Sequence, residues 1–96
     1  MKSKQLVTLM LKEGLHPEYR GFAYLKALME LCPLEGNIPP LSKLYTKMGR
    51  ALGVKPSAIM QGIRLCIWNG DRGACSNRAM IYRLRALLWA DAGTGK

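Results

Sequence analysis

One stretch of the chain, LSKLYTKMGRALGVKPSAIMQGIRLCI from Leu41 to Ile67, constrains the fold more than any other. Its apolar residues recur at helical spacing on both sides of Gly53, which predicts two amphipathic helices joined by a short turn. A glycine at such a turn accepts the positive φ that other residues avoid, and Pro56 suits the first turn of the second helix. The stretch therefore predicts a bihelical unit of the helix-turn-helix kind.

Two helices of such a unit cross closely, so the first needs a small residue, and Gly49 stands at the suitable position. Rotating the second helix by about 100° per residue divides it into two sides. The side that we expect to be buried consists of Ile59, Gly62, Ile63 and Cys66. The side that we expect to face outward consists of Ser57, Gln61, Arg64, Leu65 and Trp68.

The same helical spacing extends over most of the chain. Apolar residues make up 49% of the 96 positions, and no stretch alternates with the period of a β-strand. This pattern predicts an all-α fold, a compact bundle of five to six helices that contains the helix-turn-helix. We expect residues 1–96 to form a single domain with a flexible tail from about residue 92.

Glycine and proline punctuate the predicted helices. The first runs from Ser3 to about Glu13 and stops at Gly14, and the second runs from Pro17 to about Leu31. A loop then leads to Pro39 or Pro40, which opens a third helix ending near Leu52, and Ser76 or Asn77 caps the last helix. Gly21 lies inside the second helix, which indicates close approach of a neighbouring helix. The residues that we expect to face inward are Leu6, Val7, Met10, Leu11, Tyr19, Phe22, Leu25, Leu28, Met29, Cys32, Leu41, Leu44, Tyr45, Met48, Leu52, Met80, Ile81, Leu84, Leu87 and Leu88.

The charge of the chain is strongly positive. Fifteen Lys and Arg against six Asp and Glu leave a net charge of +9. Such a balance favours a polyanionic partner, because each neutralised phosphate releases condensed counterions. An acidic membrane surface and simple solubility are the alternatives, and nucleic acid is the partner that this composition favours most.

Cysteine usage and hydropathy bear on the cellular setting. The three cysteines, Cys32, Cys66 and Cys75, lack CxxC spacing. Cys32 and Cys66 fall on apolar helix faces, so we expect free buried thiols and a reducing, cytoplasmic compartment. The chain has no apolar run long enough to cross a bilayer, so a membrane partner is not expected.

The sequence offers little for catalysis or ligand binding. His16 is the only histidine, and no carboxylate or cysteine stands near it at ligand spacing. The glycine-rich loop 69–76 lacks the Gly-Lys-Ser/Thr pattern of a P-loop, so we expect a plain connection. We therefore expect no enzyme, no metal, no cofactor and no small-molecule ligand.

A helix-turn-helix assigns roles to the polar residues of the bihelical unit. The outward side of its second helix enters the major groove of duplex DNA, and Ser57, Gln61 and Arg64 are the candidates for reading bases. The candidates for binding phosphates are Lys43, Lys47, Arg50 and Lys55. The last helix adds a basic and aromatic stripe that could touch phosphate, contact a second copy of the domain or form an ordinary outer face: Arg78, Tyr82, Arg85 and Trp89.

Two blocks of this sequence are similar to a known family. The first is EGLHPEYRGFAYLKALM, from Glu13 to Met29, and the second is LYTKMGRALGVKPSAIMQGIRLCI, from Leu44 to Ile67. Together they make residues 10–67 resemble the C-terminal effector domain of the sporulation stage-zero A transcription factor, the master response regulator of endospore-forming Firmicutes. In this resemblance Gly49 and Gly62 stand at the family's small positions.

The resemblance implies a six-helix domain that binds promoter DNA through the second helix of the motif. It also implies tandem binding with a second copy, head to tail, and control by a phosphorylated receiver domain that this sequence does not include. Ser57 and Arg64 carry over among the family's contact residues. The reading helix otherwise departs from the family's Arg, Glu, Arg and His, which are replaced here by Ala58, Met60, Gln61 and Leu65.

A second interpretation is a degenerate relative that binds another protein. Its basis is the pair Leu65 and Trp68 on the expected outward side, because exposed large apolar residues mark partner sites. Leu65 could instead contact a thymine methyl group in DNA. The sequence therefore leaves both partners open, with duplex DNA as the first.

Overall fold

The fold is a sequence of helices separated by short glycine- and proline-containing connections. The computed structural model describes residues 3–94, with side chains to Ala90. Its five helices are α1 (Ser3–Lys12), α2 (Arg20–Leu31), α3 (Leu41–Leu52), α4 (Pro56–Trp68) and α5 (Asn77–Thr94). Residues 3–94 contain no β-strand. The all-α prediction is confirmed, with the smaller of the two expected numbers of helices in this range.

Most of the helix ends lie close to the glycine and proline residues that predicted them. Gly14 and Gly53 adopt φ values of 81° and 69° just after α1 and α3. The predicted start of α2 at Pro17 is wrong, because Tyr19 is extended (φ −83°, ψ 138°) and the helix begins at Arg20. At the other end of the chain, α5 continues to Thr94, past the expected start of the tail at about residue 92, and residues 95–96 lie outside the described range.

The most extensive contact between helices joins α2 to α4. At their crossing, a Cβ atom on Gly21 would overlap the carbonyl oxygen of Gly62 and lie 2.8 Å from Cβ of Cys66. A Cβ atom on Gly62 would lie 3.0 Å from the ring of Tyr24. The close approach predicted from Gly21 is confirmed, and this contact sets how deeply α4 is seated.

All five helices contribute side chains to one core. The buried apolar residues are Leu6, Met10, Leu15, Phe22, Leu25, Leu28, Met29, Cys32, Ile38, Leu44, Tyr45, Met48, Ile59, Ile63, Cys66, Ile67, Met80, Ile81, Leu84 and Leu88. The inward positions predicted for Leu52 and Leu11 are wrong, since their side chains are 50% and 48% exposed. Each lies at the end of its helix, where no neighbouring element covers the turn. Val7, Tyr19, Leu41 and Leu87 are only partly buried.

One carboxylate is buried and ties three segments together. Glu13, 5% exposed, directly follows α1. Its Oε1 accepts a hydrogen bond from Nε of Arg83 on α5 and lies 3.3 Å from Nε of Arg72 in the loop before α5. The hydrogen bond that Arg83 donates to Glu13 is the main reason that the pKa of Arg83 is raised above its ordinary value. The sequence pattern placed Glu13 at a helix end and missed this role.

The loop 69–76 also docks on the segment after α1. The backbone N–H of Asp71 donates to the carbonyl of Gly14 at 3.0 Å, and Nε2 of His16 lies 2.9 Å from Oδ1 of Asp71. His16 therefore connects the segment after α1 to the loop 69–76. All three cysteines are free thiols, and Cys32 and Cys66 are buried as predicted. Burial raises the pKa of both.

The described helices are arranged as a small globule with a Cα radius of gyration of 12.7 Å. That radius is close to the roughly 13 Å expected for a domain of about 100 residues. Among the described helices, none combines the length and the apolar character needed to cross a membrane.

Candidate nucleic-acid interface

The exposed side of α4 carries the three candidate base-reading residues. Ile59, Ile63 and Cys66 have no exposed surface and set the rotation of the helix against the core. Ser57, Gln61 and Arg64 consequently face outward, and all three are exposed. The buried and outward sides of α4 are thus those predicted from the helical rotation.

The start of α4 is open to an anion. Pro56 occupies the first turn, Lys55 precedes it without a side-chain capping hydrogen bond, and the first turn contains no acidic residue. Pro56 has no N–H, and the N–H groups of Ala58 and Ile59 donate to the carbonyl of Lys55. The first turn therefore offers the N–H of Ser57 together with the partial positive charge of the helix start. Phosphate groups suit such a helix start, and Lys55 adds a full positive charge beside it.

A row of basic residues follows the exposed side of α3. Lys43, Lys47 and Arg50 are all exposed, as predicted. With their neighbours they line a shallow surface depression of about 730 Å³ whose residues all belong to α3. Because the C-cap Gly53 turns the chain directly into α4, this row and the outward side of α4 belong to one continuous bihelical unit.

The charge of the bihelical unit has no acidic counterpart nearby in sequence. Between Gly36 and Gly70 the chain has no Asp or Glu, and its basic residues there are Lys43, Lys47, Arg50, Lys55 and Arg64. The paired carboxylates lie elsewhere, since Glu13 pairs with Arg72 and Arg83, Asp71 with His16, and Glu30 with Lys26. The bihelical unit therefore carries five of the fifteen Lys and Arg residues and no carboxylate of its own, which makes its local charge uniformly positive.

Arg64 is positioned by an aromatic neighbour on its own helix. Its guanidinium carbon lies 4.9 Å from the centre of the Trp68 ring, which is a cation–π arrangement. Trp68 and Leu65 are 52% and 56% exposed on the same outward side. The stacking restricts Arg64 to few orientations and lowers the entropy it loses on binding.

The start of α5 is joined to the bihelical unit by one asparagine. Nδ2 of Asn77 donates to the hydroxyl oxygen of Tyr45 on α3 and to the carbonyl of Met60 on α4, both at 3.1 Å. Ser76 caps α5, because its hydroxyl oxygen accepts the N–H of Ala79 at 3.0 Å. The sequence predicted the cap but contained no signal for the bridge, whose partners are distant along the chain.

A groove lies beside this Asn77 bridge, between α3, α4 and the start of α5. The groove has a volume of about 760 Å³. Its lining residues are Leu41, Ser42, Tyr45, Met60, Arg64, Trp68, Ala74, Cys75, Ser76, Asn77 and Arg78. The sequence placed Arg64 and Arg78 in separate elements, and the fold brings them to one groove.

The predicted stripe on α5 is divided by the structure. Arg78 lines the groove, whereas Nη1 of Arg85 donates to the carbonyls of Pro33 at 3.3 Å and Gly36 at 2.7 Å. Arg85 therefore holds the loop before α3, and its guanidinium lies 5.3 Å from the Tyr82 ring. The other two members, Tyr82 and Trp89, are 42% and 53% exposed.

The described part of the chain offers no metal centre. Within it, no three His, Cys, Asp or Glu side chains are grouped so that they could hold an ion.

Comparisons with protein-family models, curated proteins and solved structures found no match. The resemblance to the sporulation effector domain therefore stays a prediction from the two sequence blocks, and the geometry of the interface carries the functional argument.

Proposed function

We propose that this chain is a DNA-binding domain of a transcriptional regulator, with α3 and α4 as its helix-turn-helix. The observation that carries the proposal is the combination of an outward polar side on α4 with a segment, from Gly36 to Gly70, that has five basic residues and no acidic one. A surface of this kind fits the major groove and its flanking phosphates.

The candidate base-reading and phosphate-binding side chains have different roles in this proposal. Arg64 pairs with guanine and Gln61 with adenine through two hydrogen bonds each, and Ser57 contacts a base near the start of α4. Lys43, Lys47, Arg50 and Lys55 bind phosphates, which positions the protein without reading sequence. The backbone N–H of Ser57, at the start of α4, is a further donor to a phosphate.

The wider context implied by the resemblance belongs to the same proposal. A second copy bound in tandem, a cytoplasmic location and a part in sporulation control are consistent with such a domain, and they depend on the two sequence blocks alone. The exposed Tyr82 and Trp89 on α5 offer a surface for the second copy.

The test is selection of duplexes from a random oligonucleotide pool, followed by anisotropy titrations of the selected duplex. We expect Arg64→Ala to weaken binding by about 1–3 kcal/mol, because one bidentate base contact is lost. Arg64→Lys should retain the dependence on salt but lose discrimination at one base pair, since a lysine cannot form the planar pair of hydrogen bonds.

A matched control is Arg20→Ala, which removes the same charge from an exposed position at the start of α2. It should leave the base preference unchanged. If the wild-type chain binds no duplex even at low salt, the proposed function is wrong.

A further inference from the structure

The groove beside α4 differs in chemistry from the basic surface that we assign to DNA. Most of its lining is apolar, and its largest apolar side chains are those of Leu41, Tyr45, Met60 and Trp68. Met60 and Trp68 are 38% and 52% exposed, so neither is covered by another part of the described chain. A volume of about 760 Å³ lies in the range of pockets that enclose inserted groups.

Charge limits what can occupy this groove. Arg64 and Arg78 are both exposed among its lining residues, and none of those residues is acidic. An apolar floor beside two guanidinium groups complements a partner that combines a large apolar side chain with carboxylates. Arginine and tryptophan are also the residue types that contribute most often to the energy of protein interfaces.

Duplex DNA does not meet both requirements. It can supply the anionic groups for Arg64 and Arg78, but its rigid backbone offers no large apolar side chain to insert beside Met60 and Trp68. A flexible protein segment can place a leucine or an aromatic ring in the groove while its carboxylates reach the arginines.

We infer that the groove binds an acidic protein segment bearing a large apolar side chain. That side chain packs against Met60 and Trp68, and its neighbouring carboxylates accept hydrogen bonds from Arg64 and Arg78. This surface adjoins the α3 phosphate row at Ser42 but contains none of its basic residues, so it gives the domain a second partner beyond DNA.

Arg64 is common to both surfaces, which couples the two partners. If the proposed function holds, on which this consequence rests, an acidic segment that engages Arg64 withdraws it from the base it reads. Binding of the segment and binding of DNA then oppose each other, and linkage requires the opposition to be equal in both directions. An acidic segment would thus act as an antagonist of DNA binding.

The experiment is display of short random peptides, selected on the whole chain without nucleic acid. We expect the enriched peptides to contain a large apolar residue flanked by Asp or Glu. Trp68→Ala and Arg78→Gln should each weaken the selected peptide by roughly tenfold or more. Both positions are exposed, so circular dichroism should show unchanged folding, and Arg20→Gln is the control that removes a charge elsewhere.

A thiol provides an independent readout of the occupied groove. Cys75 is a partly exposed lining residue, whereas Cys32 and Cys66 are buried. The selected peptide should therefore slow the reaction of Cys75 with a maleimide. The inference is overturned if enriched peptides are not acidic, if they bind Trp68→Ala with unchanged affinity, or if they leave Cys75 unprotected.

Competition separates this inference from the proposed function. A selected peptide should displace a selected duplex from wild-type protein and should itself be displaced by that duplex. Absence of DNA binding with specific peptide binding would overturn the proposed function and leave the groove assignment intact. Protection of Cys75 by duplex DNA alone would assign the groove to the nucleic-acid interface and overturn the inference.

Discussion

At the scale of single residues, Gly21 has the strictest requirement in the core. A side chain there would overlap the backbone oxygen of Gly62, which cannot rotate away. We expect Gly21→Ala to lower the free energy of unfolding by about 2–3 kcal/mol, because α2 and α4 must separate to admit the methyl group. Denaturant unfolding followed by circular dichroism measures this loss.

Gly36→Ala is the appropriate comparison for that substitution. Gly36 has a φ of 80°, but a Cβ atom built there meets nothing within 4 Å. Its cost should be the backbone strain alone, about 1 kcal/mol. Equal losses for both variants would contradict the steric explanation at the crossing of α2 and α4.

Ser3 provides a residue-scale prediction about pH. Its hydroxyl donates to Oε2 of Glu30 at 2.6 Å, and this hydrogen bond, with a smaller contribution from Lys26, lowers the pKa of Glu30 below its ordinary value of 4.5. A depressed pKa stabilises the folded state above the unfolded-state value, and that contribution is lost as pH falls through the folded-state value.

Ser3→Ala should therefore move the pKa of Glu30 back towards 4.5. The stability difference between wild type and variant should be present at neutral pH and shrink as the solution is acidified. NMR titration of the Glu30 carboxyl measures the first effect, and thermal unfolding at several pH values measures the second. A difference that grows in acid would contradict this assignment.

At the scale of the element, α3 and α4 make different contributions to the proposed interface. The exposed row on α3 contributes charge, whereas α4 contributes hydrogen-bonding groups of defined geometry. Lys47→Gln and Arg50→Gln should each make the plot of log K against log salt less steep by roughly 0.9, because one phosphate contact disappears. Their base preference should stay that of wild type.

The control for this pair is Lys4→Gln, which changes an exposed charge on α1. It should leave the slope close to that of wild type, since α1 does not belong to the bihelical unit. An unchanged slope in both α3 variants would show that this row does not contact the phosphate backbone. The same titrations with Arg64→Ala compare the loss of a phosphate contact on α3 with the loss of a base contact on α4.

At the scale of the whole molecule, Glu13 connects the end of α1 with α5 and with the loop before it. The carboxylate is buried and faces two guanidinium groups, those of Arg72 and Arg83. We expect Glu13→Gln to lower the free energy of unfolding by about 1–2 kcal/mol, because the two guanidinium groups lose the carboxylate charge and face only a neutral amide oxygen. Chemical denaturation of wild type and variant measures this difference in the free energy of unfolding.

The exposed Glu18 supplies a control with the same change of charge. Glu18→Gln should have little effect on stability. A double-mutant cycle of Glu13→Gln with Arg83→Gln should show that the two changes are not additive. Additive losses would mean that Glu13 acts through burial alone, without coupling to α5.

Much of the fold could be predicted from the sequence because its helices carry local signals. Helical periodicity identified the five helices, and Gly14 and Gly53 marked two of the helix ends. The wrong predictions of helix start and of burial have local causes as well. Pro17 begins a separate turn that Tyr19 interrupts, and Leu52 has the right spacing but lies where no neighbour covers it.

The candidate interface was predictable to the same extent. The apolar rhythm of Ile59 and Ile63 defines which side of α4 faces outward, so Gln61 and Arg64 could be placed without a structure. The bridge from Asn77, the loop contact of Arg85 and the pairing of Glu13 could not. Each depends on partners from 17 to 70 positions away along the chain, and no local pattern encodes such contacts.

The sequence by itself determined the helices, the turn at Gly53 and the side of α4 that is free to bind. It could do so because helix formation and amphipathic burial depend on neighbours within one or two turns. Only the tertiary structure decided that Arg78 joins Arg64 at one groove, that Arg85 serves a loop and that Glu13 is buried. These outcomes follow from how the helices pack, because packing brings together side chains that are remote along the chain.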